Sequence, residues 1–437
     1  MITRQISLLK FKVYDFTRRH LMVFASALML FLYYILNFFG SKLAYKYLMS
    51  AHRYYRTSFL DELVKKNLDN ISWSCERFFS YENPNDKDWT ELRSLVLKNP
   101  IVNNGKIEKG VFLVKFSTTL PFVIRDLDCD ALLQWFWLVI EPSSSNYCAP
   151  ELLHWARYKN SPIIIQSSEV ADLTFINSMN SNLKPVSYGS SDWVDERIFS
   201  PTDSKKDYDA IFVASYNVVK RHHRFFKAVR HLKKHGFRAA MVCTPYGEWK
   251  NDVYNLLKYY GVIKHVDVYE GLSPTALARL MERSKVNVLL SLKEGSNRAI
   301  FEGFFSGTPG IVLRENIGVN KSYINRETGR LIYDYELEST LLEFMQETHQ
   351  YVPREWALQN ISPKVTTQKL NRHLQALAKA AGEDWTTDIA VKVNSPEATY
   401  YDKSDSERLL TVSRVKLAFS RTSLLTDDRR SDILRLS

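Results

Sequence analysis

Between Val286 and Leu313 the chain spells out one supersecondary unit. Val286-Asn-Val-Leu-Leu-Ser291 is a short apolar run rich in branched residues, the texture of a buried strand. A polar loop follows, Leu292-Lys-Glu294-Gly295-Ser296-Asn297-Arg298. Ala299 to Ser306 then reads as a short helix, stopped by Gly307 and Pro309. Gly310-Ile-Val-Leu313 begins a second strand. Strand, loop, helix, strand is a βαβ unit, so the loop sits at the carboxyl end of a parallel strand, where open α/β sheets bind ligands. The amides of Gly295, Ser296 and Asn297 lie at the positive end of the helix, a place suited to phosphate. Glu294 stands at the strand tip, and Glu302, one turn into the helix, can accept from sugar hydroxyls.

The same alternation of strands and helices recurs through most of the chain and implies parallel sheets. Strands are expected at Val111–Phe116, Phe122–Ile124, Phe136–Ile140, Pro162–Gln166 and Pro185–Tyr188, with a helical stretch at Ala149–Tyr158. A second series begins at Ala210–Ala214 and continues with strands at Ala239–Cys243 and His265–Tyr269. Its helices are at Asp252–Tyr260 and Thr275–Arg283, the latter with Ser273 as cap and Pro274 in the first turn. Leu337–Thr348 and Trp356–Ala381 also read as helical, and residues 50–100 as a polar, helical connecting region with a loop at Asn83–Asp88. The chain of 437 residues has room for two such α/β domains. Four scattered cysteines without a CxxC pair imply reduced thiols and a cytoplasmic compartment. His231 and His235 have metal-ligand spacing, but no acidic partner follows them, and no metal site is expected.

The N-terminus has a different texture. Arg4, Lys10, Lys12, Arg18 and Arg19 surround a single acid, Asp15. Leu21 to Gly40 then carries no charged side chain, a length that fits one membrane-associating helix. Lys42, Lys46, Arg53 and Arg56 follow, so cations flank the run on both sides and give no orientation. The run is long and no small-residue cleavage pattern follows it, which argues against a cleaved signal peptide. Two alternatives stand: a helix that crosses or inserts into a membrane, or a buried or interfacial helix hairpin. The net charge of +11 suits an anionic partner. Nucleic acid is not that partner, since helix-turn-helix, zinc-finger and RNP-type patterns are absent. The GxGxxG fingerprint and the P-loop are absent too, which disfavours dehydrogenases and NTPases.

The Glu-x7-Glu spacing of Glu294 and Glu302, with Gly295 after the first and Gly307-Thr308-Pro309 after the second, resembles the nucleotide-sugar site of retaining glycosyltransferases of the GT-B fold, family 4, often called group 1. Asn297 stands where the family often has a second glycine. Val194, Asp195, Phe199 and Pro201 fall in register with the family's inter-domain segment, Asn-Gly-Val-Asp-x3-Phe-x-Pro, while Asp192 and Trp193 depart from it. Arg326 to Ile332 is similar to the Gly-x-x-Gly-Leu-Leu stretch that follows the sugar-binding loop, near Gly318. Lys220 matches the Lys of the family's Gly-Arg-Leu-x3-Lys-Gly. Ser215 replaces its Arg, with Arg221 or Arg224 as possible substitutes.

The resemblance implies two Rossmann-like domains in the GT-B arrangement. Their expected bounds are a membrane segment at 1–60, an acceptor domain at 61–200, a nucleotide-sugar domain at 201–382 and a polar tail, flexible or a surface helix, at 383–437. It implies that Glu294 touches the transferred sugar and acts as the catalytic residue, and that Glu302 holds the ribose. Lys220, Arg221, Arg298 and the amides of Gly295, Ser296 and Asn297 complete the donor set, with the loops at Tyr246–Glu248 and Tyr269–Gly271 facing the base. Glu141 and Glu169, at expected strand ends, are the acceptor-side candidates. No cofactor or metal beyond the donor is implied. The expected function is retaining transfer of a sugar from a nucleoside diphosphate sugar to a lipid-linked or envelope polysaccharide acceptor. A single span with its N-terminus inside would carry the catalytic domain away from cytosolic nucleotide sugars. An N-out span, or a helix lying in the inner face, keeps it with them. The alternative is a non-catalytic GT-B scaffold, which the missing Arg at position 215 favours.

Overall fold

Apolar runs with no polar alternation need cover on both faces, and here they pair into two largely parallel sheets. The structure is a computed structural model that describes residues 2–83, 86–103, 105–143, 147–245, 247–346, 350–394, 398–422 and 425–435. It divides into two units. One is built from Val23–Trp193 and Pro363–Ser437, the other from Met1–Met22 and Val194–Ser362.

In the first unit β1 (Ser94–Lys98), β2 (Gly110–Lys115), β3 (Phe136–Glu141), β4 (Ile163–Gln166) and β5 (Leu183–Val186) lie side by side in that order. β1 is antiparallel to β2, and the other neighbours are parallel. β1 falls in the stretch expected to be a connector. Phe122–Ile124, expected as a strand, lies instead in the helix Leu120–Asp126. Pro121 in its first turn has no N–H to offer a sheet but fits a helix start.

The end of the chain also departs from expectation. Residues 383–437 are expected to be a flexible tail or a surface helix, yet Lys392–Asn394 pairs antiparallel with Ala398–Tyr400. The helix Val412–Phe419 buries Val415, Ala418 and Phe419 in one core with Phe112 and Phe136. The Phe419 and Phe136 rings meet edge to face at 5.9 Å. Enough apolar side chains are spaced for one helix face, and a neighbouring core receives them. In the same unit the helix Met22–Phe38 buries Ser26 and Tyr33, with the Ser26 hydroxyl donating to the Ala51 carbonyl at 2.8 Å. Its opposite face leaves Phe24, Leu28, Phe31, Ile35 and Phe38 exposed.

The second unit holds six parallel strands: β6 (Ala210–Val213), β7 (Ala239–Cys243), β8 (Val266–Glu270), β9 (Asn287–Leu289), β10 (Gly310–Leu313) and β11 (Gly329–Ile332). Their order is β8–β7–β6–β9–β10–β11. This is the dinucleotide-fold order, and it reverses between β6 and β9, so the crevice at their carboxyl ends is the place for a ligand. The N-terminal helix Ile2–Phe16 joins this unit. Phe11 is fully buried against His222, His223 and Trp249, and Asp252 takes hydrogen bonds from Ser7 and Lys10 at 2.7 and 3.1 Å. The division therefore differs from the expected one at both ends: residues 1–22 and 363–437 each pack with a unit remote from them in sequence.

Each unit buries a histidine whose two ring nitrogens have no hydrogen-bond partner among the described residues, His154 in the first and His222 in the second. Burial pushes each down to about 3, helped by Arg157 at His154 and by His223 at His222. Both stay neutral in the fold, while the unfolded chain protonates them below about pH 6.5. Their stabilisation is complete above that pH and is lost as pH falls toward 3. Going from pH 7 to pH 5 should cost about 2 kcal/mol per histidine. Thermal melts of the protein at the two pH values should show the drop.

Candidate functional site at the carboxyl ends of the central strands

The loops after β6 and β9 flank the point where the strand order reverses, and they bring Lys220 to Glu294. The Lys220 ammonium donates to Glu294 Oε1 at 2.6 Å, and the Ser291 hydroxyl donates to the same oxygen at 2.5 Å. Both partners of the ion pair keep a little solvent exposure, 15% for Lys220 and 10% for Glu294. The local sequence explains each position. Asn217 caps a single turn, Val218–Lys220, by accepting from the Val219 N–H, and the turn carries Lys220 to the crevice. Asn297 caps the helix Arg298–Phe305 by accepting from the Ile300 N–H at 3.1 Å. Gly295 and Ser296 therefore lie just ahead of the helix's positive end, half exposed.

The backbone around Glu294 is fixed by a close approach. Its N–H donates to the Ile317 carbonyl at 2.7 Å. Gly318, at φ +108°, leaves no room for a side chain, since a Cβ there would lie 2.1 Å from the Glu294 carbonyl oxygen. Gly318→Ala must strain that φ and push the Glu294 loop away. It is expected to destabilise the second unit by about 1–3 kcal/mol and to weaken ligand binding at the crevice. Urea unfolding together with nucleotide titration would read both effects.

Glu302 is buried, and burial raises its pKa while Arg298 pulls it back. The Arg298 Nε donates to Glu302 Oε1 at 2.6 Å across one turn of the helix. The two named helix residues thus form one unit, with Arg298 half exposed above a sunken carboxyl.

Arg221 is the departure. It was expected beside the diphosphate, but its side chain is fully buried. Its Nε and Nη2 donate to the two Asp15 oxygens at 2.8 Å each, and its Nη1 donates to Asp334 Oδ1 at 2.9 Å and to the Leu290 carbonyl at 3.0 Å. Burial alone would lower its pKa, but the Asp15 and Asp334 bonds outweigh that and raise it. A guanidinium so enclosed is not available to a ligand. Its backbone is left-handed, at φ +59°, where the resembling motif has glycine. Arg224 is half exposed and pairs with Asp334 at 3.1 Å. Ser215, in the place of the expected Arg, lies in the loop after β6.

The acceptor-side candidates sit in the first unit. Glu141, the last residue of β3, is fully buried and accepts from Lys392 Nζ at 2.6 Å and from Asn394 Nδ2 at 3.1 Å. It is a structural carboxylate, spent on the end of the chain, rather than a free base. Glu169 is half buried and directly precedes the helix Val170–Ser178 after β4. Of the loops expected at the base, Tyr246 lies outside the described residues. At Tyr269–Gly271, Glu270 accepts from Tyr216 at 2.5 Å and from Lys250 at 2.7 Å. His231 pairs with Glu338 at 2.6 Å, and no group of metal-ligating side chains occurs among the described residues.

Sequence reasoning overlooked Asp15 and Asp334, which hold Arg221, and Ser291, which orients Glu294. For Asp15 a signal existed: it is the one acid in a basic amphipathic segment. Asp334 and Ser291 carried none.

No curated protein matches the chain in sequence. Among solved structures the chain is similar to a sucrose-phosphate synthase from Thermosynechococcus elongatus, at 13% identity over 61% of this chain and 73% of that one, with a TM-score of 0.49. It is similar to HepE of Anabaena in complex with UDP, at 14% identity over 60% and 78%, TM-score 0.49. It is also similar to the pneumococcal O-GlcNAc transferase GtfA in complex with UDP and GlcNAc, at 13% identity over 62% and 57%, TM-score 0.46. The stretch that carries Lys220, Arg221, Glu294 to Arg298 and Glu302, residues 194–350, matches the family Glycosyl transferases group 1.

Proposed function

We propose that the chain transfers a sugar from a nucleoside diphosphate sugar to a lipid-linked or envelope polysaccharide acceptor, with retention at the anomeric carbon. The observation that carries this reading is the Lys220–Glu294 pair, 2.6 Å apart at the reversal point of the second sheet and inside the matched stretch. In the donor complex Lys220 turns from Glu294 to the diphosphate, where charge accumulates as the sugar leaves. Glu294, relieved of its lysine and still held by Ser291, then accepts from the hydroxyls of the transferred sugar. The amides of Gly295, Ser296 and Asn297, ahead of the helix, bind phosphate oxygen. Glu302, with Arg298 over it, accepts from the ribose. The leaving diphosphate is met by the reoriented Lys220 and the loop amides, and the reading calls on no metal or cofactor.

Membrane association is part of the proposal. The helical run Ile2–Phe38 is long and apolar enough to cross a bilayer, and only 11% of its most apolar window is buried. A seat along the inner face is favoured over a crossing. Residues before the apolar run pack into the second unit through Phe11 and Asp15, so a crossing would tear them from Arg221 and His223. The exposed stripe Phe24, Leu28, Phe31, Ile35 and Phe38 meets the lipid, and the exposed Lys42, Lys46 and Arg53 meet anionic headgroups. This seat leaves the catalytic domain in the cytoplasm and the lipid-linked acceptor within reach.

The test is turnover. The full chain with UDP-, GDP- and ADP-sugars and a membrane lipid extract should release one nucleoside diphosphate and leave a new glycosidic bond whose anomeric configuration, read by NMR, matches the donor's. The second reading, a scaffold without transfer, is favoured by Ser215 and by the enclosure of Arg221, which together remove two expected cations from the crevice. Binding of a donor without turnover on any extract would select it.

A further inference from the structure

A buried arginine in a left-handed conformation is an unusual way to end a ligand-binding turn. Glycine takes that conformation freely, whereas a residue with a Cβ needs its surroundings to hold it there. Arg221 follows Lys220 directly, and its N–H closes the turn on the Val218 carbonyl at 3.1 Å. Its guanidinium reaches across to the Leu290 carbonyl, one residue before Ser291, at 3.0 Å. One side chain thus ties the loop that carries Lys220 to the loop that carries Glu294. What holds the guanidinium is a pair of carboxylates. Asp334 comes from the end of β11, and Asp15 from the N-terminal helix, where it takes both Arg221 Nε and Nη2 at 2.8 Å. Asp15 is itself fixed by His223, whose Nε2 lies 3.1 Å from Oδ2, and by Phe11 one turn earlier, fully buried in the same unit.

We infer that Asp15 is a positioning residue for the donor site: clamped from the N-terminal helix, it holds Arg221 in its left-handed turn and so sets Lys220 against Glu294. The inference rests on the donor reading of that pair. It makes the basic segment at the start of the chain part of the nucleotide site without touching the nucleotide. It also assigns a role to an arginine that stands where the resembling motif has glycine. With glycine at 221 Asp15 would lose the guanidinium that engages both of its oxygens and keep only His223 at 3.1 Å and Arg224 at 3.5 Å.

The experiment is a double-mutant cycle on the full-length protein. Calorimetry measures the Kd of whichever of UDP, GDP or ADP the wild type binds, for wild type, D15N, R221G and D15N/R221G, with D15E as the charge-conserving control and a thermal melt for each. Asp15→Asn should weaken the nucleotide at least tenfold while D15E stays within threefold of wild type. On the R221G background the same D15N change should alter Kd less than twofold. If R221G does not melt cooperatively, the D15N and D15E pair decides alone. A D15N affinity within twofold of wild type, or an equal loss in D15E, would overturn the inference. So would an equal loss on both backgrounds, or a D15N chain with no cooperative melt, since the acid would then serve the whole fold rather than the loop. A wild type that binds none of the three nucleotides contradicts the donor reading itself and takes the inference with it.

Discussion

Lys220→Ala is expected to lower kcat/KM for the donor sugar by about 10²–10³, the range seen when one preorganised electrostatic partner of a developing anion is removed. The size follows from the neighbourhood. Arg221 is enclosed by Asp15 and Asp334, and Ser215 has no charge, so Lys220 is left as the cation of the loop after β6 that meets Glu294 in the crevice. The variant also leaves Glu294 beside an incoming diphosphate without its lysine, a like-charge contact that adds to the loss of affinity. Lys220→Arg keeps the charge but not the point geometry of an ammonium, and it should recover only part of the rate. Initial rates over a range of donor concentrations would separate the two contributions: lost stabilisation of the leaving group lowers kcat, and lost ground-state attraction raises KM.

The second large effect lies in the first unit and concerns stability. Lys392→Met is expected to destabilise it by about 3–5 kcal/mol, the cost of removing one partner of a buried ion pair. Lys392 and Glu141 are both buried, 2.6 Å apart, at the carboxyl end of β3. Burial holds Lys392 down to about 8 even against the pull of Glu141. Lys115, 3.8 Å from Glu141, is too far to replace a direct hydrogen bond. Asn394 shares the load, donating to Glu141 and to the Ser190 carbonyl. Lys392 also lies 3.8 Å from the centre of the Trp193 ring. Urea unfolding followed by tryptophan fluorescence should show the loss. A change below about 1 kcal/mol would mean that the pair is hydrated and exchangeable, and that Glu141 is open to an acceptor after all.

What the sequence disclosed and what it hid divide along physical lines. The βαβ unit from Val286 to Leu313 was legible because each part is local: a branched apolar run, an Asn cap, a glycine stop. The candidate site residues it carries, Glu294, Gly295, Ser296, Asn297, Arg298 and Glu302, are placed together for the same reason. The place of Lys220 in the loop after β6 was legible from the strand before it, whereas its pairing with Glu294 was not. Arg221 misled because charge was read without burial. A basic residue at a helix start is a ligand or a core ion pair depending on what packs over it, and here a helix some two hundred residues away in sequence packs over it. The close of the chain was hidden for a similar reason. Residues 383–437 are polar on average, and the burial of Lys392, Val415 and Phe419 depends on partners in β2 and β3 that no local window contains. Gly318 is intermediate: its presence near the sugar loop was visible, but the 2.1 Å approach that demands glycine is a property of the folded backbone.

Asp15 and Phe11 pack into the second unit, so donor binding depends on the N-terminal helix being present. A chain started near residue 60 would lack both, so the protein should be used whole, in detergent or lipid. The direct measurement is calorimetric titration of the full-length protein with UDP-, GDP- and ADP-sugars, with Glu302→Ala alongside and a melt to show that the variant is folded. Binding of one of the three by the wild type, lost in a folded Glu302→Ala protein, is the result expected of a donor site at the reversal point of the second sheet. Binding that survives in that variant, or no binding of any of the three by the wild type, would contradict it.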